Sequence, residues 1–147
     1  MAKLSYNVIY NVTKESQYMR IEHIAIWVKD IELMKDFYCK YFNATSNDKY
    51  INSVKGFSSY FLSFESGTRL EIMHSKNMNN LNLDNSKERF GLIHLAISVG
   101  SKEKVDQLTE QLKNDGFKIT GEPRTTGDGY YESCVLDPEQ NLIEITV

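Results

Sequence analysis

The sequence predicts an α+β fold made of two tandem strand-helix-strand-strand-strand units. Three observations carry this. First, Glu22-His23-Ile24-Ala25-Ile26-Trp27-Val28 is echoed by Ile93-His94-Leu95-Ala96-Ile97-Ser98-Val99, a repeated His-x-Ala-Ile-x-Val strand. Second, each echo is followed by a capped stretch with apolar residues at helical spacing. Third, each unit closes on a strand with a glutamate between two aliphatics: His94 follows His23 by 71 residues and Glu144 follows Glu71 by 73. A repeat of that order in so short a chain points to duplicated modules.

With 147 residues, 41% hydrophobic and 25% charged, the chain is long enough for a real core and has an ordinary globular composition. A net charge of -3 lacks the basic footprint of a nucleic-acid binder. No apolar run reaches membrane-spanning length, and residues 1–10 lack a signal-peptide core, so a cytoplasmic protein is expected. Cys39 and Cys134, far apart and in no Cys-x-x-Cys pair, are expected as reduced thiols.

Residues 1–18 match nothing later and form an expected N-terminal extension; residues 19–147 form one domain, with module one at 19–76, a linker at 77–89 and module two at 90–147. In the first His strand, the two-residue period sets Ile24, Ile26 and Val28 on one face and His23, Ala25 and Trp27 on the other. Asp30 can cap a helix whose stripe is Met34, Phe37, Tyr38 and Tyr41, ending at Asn43. A short strand is expected over 44–50, a loop over 51–56, and a hairpin of strands 57–64 and 69–74 around Glu65-Ser66-Gly67. The asparagine-rich stretch 75–90 separates the halves. Ser101 then caps a helix with Val105, Leu108 and Leu112 buried, stopped at Asn114-Asp115-Gly116. Strands over 117–122, 130–136 and 141–147 complete the unit, the last two joined at Asp137-Pro138.

The inner faces carry the chemistry. Ile72 and Leu70 flank Glu71, and Ile143 and Ile145 flank Glu144, so both carboxylates face away from the aliphatic core. An unpaired buried carboxylate is costly, and two glutamates with two histidines are mutually satisfied by a cation between them. Two imidazoles and two carboxylates neutralise a divalent ion and leave room for water or substrate oxygens, as in a catalytic site. A nitrogen and oxygen set without thiolate fits Ni, Zn, Co or Mn. His74 falls opposite Glu71 or at the strand end and is expected on the solvated surface; Cys134 is expected as a small core residue.

The quartet His23, Glu71, His94 and Glu144 in two such units resembles the vicinal oxygen chelate superfamily, and within it glyoxalase I (lactoylglutathione lyase), over about residues 21–147. The resemblance implies paired βαβββ modules whose curved sheets surround a metal cavity, the glyoxalase/bleomycin resistance/dioxygenase fold, often completed in a homodimer. It also implies a lyase acting in methylglyoxal detoxification: a 2-oxoaldehyde hemithioacetal becomes a 2-hydroxyacyl thioester through a metal-bound enediolate. Glu144, or Glu71 on the opposite face, would move the proton. Glutathione-using members carry a basic residue four positions after the first histidine; Trp27 stands there, which speaks against glutathione as the thiol. Arg69 and Arg124 are candidates for an anionic tail, and Trp27, Phe57, Phe61 and Tyr130 for the pocket wall. The rival readings are an epimerase of the methylmalonyl-CoA kind, towards which a glutamine at position 71 would lean, and a metal-free drug-binding protein of the same fold.

Overall fold

In the computed structural model, which describes residues 20–78 and 91–147, two α+β units each place one helix against one face of a sheet. The first comprises β1 (His23–Trp27), α1 (Ile31–Phe42), β2 (Thr45–Ser46), β3 (Tyr50–Asn52), β4 (Phe57–Ser63) and β5 (Arg69–Ser75). The second comprises β6 (His94–Ser98), α2 (Lys102–Asn114), β7 (Ile119–Thr125), β8 (Tyr131–Leu136) and β9 (Leu142–Thr146). The sheets are separate, in the order β1-β5-β4-β2, with β3 also paired to β4, and β6-β9-β8-β7. In both, the His strand runs parallel to the last strand of its module, Ala25 beside Glu71 and Ala96 beside Glu144. The expected extension over residues 1–18 and residues 79–89 of the expected linker lie outside the described residues. No helix of the described residues is long and apolar enough to cross a membrane.

Sequence chemistry explains the boundaries. Asp30 caps α1 by accepting from the Leu33 amide at 3.0 Å, and Asn43 ends it in the left-handed region at φ 51°. Three local expectations are revised. The single strand expected over 44–50 is split into β2 and β3, because the Asn47 side chain accepts the Phe61 amide at 2.7 Å and takes over a backbone ladder position. The loop expected from residue 51 starts later, since Ile51 and Asn52 pair with Ser58 and Phe57. Strand β7 begins at Ile119 rather than at Phe117 and runs through Pro123 to Thr125, which an irregular edge strand tolerates.

The aliphatic faces and both helices bury a common core that includes Met34, Tyr38, Leu62, Ile72, Val105, Leu112, Ile143 and Ile145. Thr109 joins it, its hydroxyl bonded to the Val105 carbonyl and the Ser133 hydroxyl at 2.6 Å each. Docking between modules runs through α1. Phe117 packs on Phe37 and Tyr41 at centroid distances of 5.0 and 5.3 Å. The buried Tyr38 hydroxyl donates to Asp137 at 3.1 Å, and Glu139 accepts the Lys29 and Asp30 amides at 2.7 to 2.8 Å. His74, expected on the solvated surface, is half-buried, with Nδ1 3.1 Å from the Val28 carbonyl oxygen.

On α1, Glu32 is bound by Lys35 and Lys49 at 2.9 Å each and by the Tyr60 hydroxyl at 3.0 Å. The two ammonium groups, Lys35 foremost, hold its carboxyl at about 2 instead of near 4.5. A carboxyl depressed on folding stabilises the fold above its unfolded value, and that contribution is lost as pH falls from 4.5 towards 2. Because Glu32 is about half exposed, the effect is screened and modest. The urea midpoint of the wild type is therefore expected to fall more than that of Glu32→Gln between pH 5 and pH 3; equal falls would contradict the assignment.

Candidate metal and catalytic site

Pairing register puts the histidine and glutamate of each module on one face. Because side chains alternate, His23 and Glu71 project from the face that Ala25 and Trp27 share, and His94 and Glu144 from the corresponding face of the second sheet. Alanine beside each glutamate leaves space for the carboxylate to lean towards the imidazole. His23 Nε2 lies 3.8 Å from Glu71 Oε2, and His94 Nε2 lies 3.7 Å from Glu144 Oε2. These separations exceed a hydrogen bond. They fall within the span of two donors sharing one ion at bonds of about 2.1 Å. Both glutamates are largely buried, with 15% and 19% of their side chains exposed, while the imidazoles are 40% and 38% exposed.

The first pair has a support absent from the sequence reading. Glu22 accepts from His23 Nδ1 at 2.6 Å, so the imidazole is held at one nitrogen and turns the other towards Glu71. Arg69 Nε donates to the other Glu22 oxygen at 2.8 Å, Arg69 Nη2 reaches the same oxygen, and the guanidinium lies over Phe61 at 4.2 Å. His23 meets Phe61 edge-on at 5.3 Å. Hydrogen bonds from His23 and Arg69 hold the Glu22 carboxyl below the usual range. Arg69 is thus engaged in orienting the histidine's partner, in addition to standing where an anionic tail was expected.

The second pair sits among different neighbours. Cys134 lies beside Glu144 in the ladder, and one donor atom each of Glu132, Cys134 and Glu144 lies within 4.8 Å of the others. Arg124 donates to Glu132 at 3.0 Å, and its guanidinium occupies the space over Gly121, where a Cβ would come within 2.8 Å of Nη1. Burial, and then the Glu132 carboxylate, push the Glu144 carboxyl up. Burial likewise pushes up the Cys134 thiol, against the pull of Arg124. Cys134 is therefore half-buried beside the candidate site rather than deep in the core. Glu132 and Gly121 were not singled out from the sequence; the strand alternation through Cys134 was the signal for Glu132. Tyr130 is 59% exposed at the end of the β7-β8 hairpin.

The structure brings the quartet together as two pairs. Among the described residues, neither pair has a third member of the quartet within 4.8 Å of both its donor atoms. The large cleft between the modules, about 970 Å³ and bordered by Ile24, Leu70, Leu95 and Ile97, includes neither His23, Glu71, His94 nor Glu144.

The family model described as Glyoxalase/Bleomycin resistance protein/Dioxygenase superfamily matches residues 20–145. An uncharacterized Bacillus subtilis protein, YqjT, is 29% identical over 128 residues, 85% of this chain and 96% of that protein. A glyoxylase/bleomycin resistance protein/dioxygenase domain from Frankia superimposes with a TM-score of 0.74 at 18% identity, covering 88% of this chain and 91% of that one. Glyoxalase I from Zea mays superimposes at 0.68 with 21% identity over 86% of this chain; this chain spans only 44% of the maize enzyme. At these identities the solved structures establish a shared fold.

The Glu22 contact is expected to set a tautomer. Neutral His23 should carry its proton on Nδ1, donated to Glu22, and Glu22→Gln should shift it towards Nε2. Long-range ¹H-¹⁵N spectra of the imidazole distinguish the two; an unchanged tautomer in Glu22→Gln would refute the role given to Glu22.

Proposed function

The chain belongs to the Glyoxalase/Bleomycin resistance protein/Dioxygenase superfamily, and on that premise we propose that it is a metal-dependent isomerase of the glyoxalase I type. Its reaction converts the hemithioacetal of a 2-oxoaldehyde into a 2-hydroxyacyl thioester. The observation that carries this reading is the repeated pair: in each module a histidine Nε2 and a largely buried carboxylate oxygen stand 3.7 to 3.8 Å apart.

His23, Glu71, His94 and Glu144 would hold one divalent ion, Ni, Zn, Co or Mn. When bound, such an ion supplies Lewis acidity that makes the proton beside the substrate carbonyl easier to remove. The chain's own groups do the rest. Glu144 takes the proton from the carbon bearing sulfur and returns it to the adjacent carbon, so the aldehyde-derived carbon ends as the thioester carbonyl and no atom is gained or lost. Burial and the Glu132 carboxylate raise Glu144's affinity for that proton. Glu71 serves the opposite face. Arg124, tethered to Glu132, and Tyr130 line the polar wall, while Arg69 keeps Glu22 against His23.

Because each pair lacks its complement within one chain, two chains would complete the site, module one of one protomer facing module two of its partner. Metal-reconstituted protein is expected to turn over methylglyoxal hemithioacetals. Glu144→Gln should reduce kcat roughly 100-fold or more, and full turnover by that variant would remove Glu144 from the role of base. The shared site has a sharper test. His23→Ala and His94→Ala should each be inactive alone, yet mixed and reassociated they should regain activity, since a mixed dimer contains one site with all four ligands. No recovery on verified subunit exchange would exclude a site built from two chains.

A further inference from the structure

Three aromatic rings stand together on the open face of the first module. Trp27, at the end of β1, meets Phe57 edge-on with centroids 6.0 Å apart and planes at 86°. Phe57 in turn meets Tyr50 of β3, also at 6.0 Å. Trp27 and Tyr50 are each 53% exposed, and Asn52 Nδ2 reaches the Tyr50 hydroxyl at 3.4 Å, fixing the ring's outer end. Trp27 lies beside Met73, two residues beyond Glu71 on the same face, so Met73 stands between the His23-Glu71 pair and the ledge. Four residues of strand at about 3.3 Å each put the ledge about 13 Å from His23.

Two features favour a small-molecule ring as its occupant. No side-chain cation of the chain takes up the ledge: among the described residues the cation-ring contacts fall on Tyr41, Tyr60, Phe61 and Tyr131, and on none of the ledge rings. The ledge is also confined to one module. Where Trp27 stands beside Met73, the second module sets Ser98 beside Thr146, and where Phe61 stands beside Glu71 it sets Cys134 beside Glu144. An edge-to-face cluster with open π faces is suited to stacking a flat, uncharged group.

We infer that the Trp27-Phe57-Tyr50 ledge receives the far end of the substrate's thiol-borne tail, and that this end is an uncharged aromatic or heteroaromatic ring rather than a carboxylate. The inference rests on the glyoxalase-type reading above and specifies its substrate class.

Trp27 is the chain's single tryptophan, so its fluorescence reports the ledge directly. The test uses the metal-loaded full chain and two tails of similar reach, 4-phenylbutanoyl cysteamine and glutaryl cysteamine. Their unreactive S-methyl thioethers serve for binding and their methylglyoxal hemithioacetals for rates. The phenyl thioether should change the fluorescence saturably and the carboxylate thioether should not. The phenyl adduct should show the lower KM, Trp27→Ala should raise that KM roughly ten-fold, as loss of an aromatic stacking platform does, and Trp27→Phe should restore most of the difference, the loss falling on KM rather than kcat. Equal KM values for the two tails, or a fluorescence response blind to the tail, would overturn the inference. So would a Trp27→Ala protein that dissociates in sedimentation, because the ledge would then belong to a second copy of the chain. If neither adduct turns over, the glyoxalase reading fails, and the fluorescence titration still decides the ledge.

Discussion

In both sheets the strand bearing the histidine lies at an edge, parallel to the last strand of its module, with an alanine directly beside the glutamate. The rest of the molecule is arranged around that pairing. A one-residue slip would send every side chain of the edge strand to the other face. It would turn His23 towards the core and expose Ile24 and Ile26, so the core enforces the register that pairs each histidine with its glutamate. Burying Glu71 and Glu144 carries a cost, and each faces an imidazole across 3.7 to 3.8 Å.

Helix α1 links this local constraint to the relation between modules. Its apolar face packs the first sheet, while Phe37 and Tyr41 receive Phe117 and Tyr38 receives Asp137 from the second unit. Burial pushes the Asp137 carboxyl up, and hydrogen bonds from Asn141, Glu139 and Tyr38 draw it back down. The polar group that docks the modules is thereby satisfied without help from water. The arrangement holds the two His-Glu pairs apart, each on its own sheet.

Much of this was legible in the sequence because two-residue alternation and helical spacing are local properties. The repeated His strands, the capping Asp30 and Ser101, and the inward position of Glu71 and Glu144 all follow from near neighbours along the chain. What escaped depended on contacts across the sheet or on side chains replacing backbone bonds. Asn47 split an expected strand by accepting the Phe61 amide. Glu22, adjacent to His23 in sequence, could be assigned as its partner only when Arg69 was seen bridging from the neighbouring strand. Glu132 gained meaning from Arg124 and Glu144 on either side of it.

The two modules share a scaffold and differ in the side chains that surround their His-Glu pairs. Around His23 and Glu71 stand Phe61, Met73, Glu22 and Arg69; around His94 and Glu144 stand Cys134, Glu132 and Arg124. A carboxylate that must gain and release a proton needs its charged form opposed without being cancelled. Burial and Glu132 oppose it at Glu144, while His94 and Arg124 limit the effect. Duplication therefore repeated the His-Glu pair, and divergence of the flanking positions gave the two pairs different surroundings.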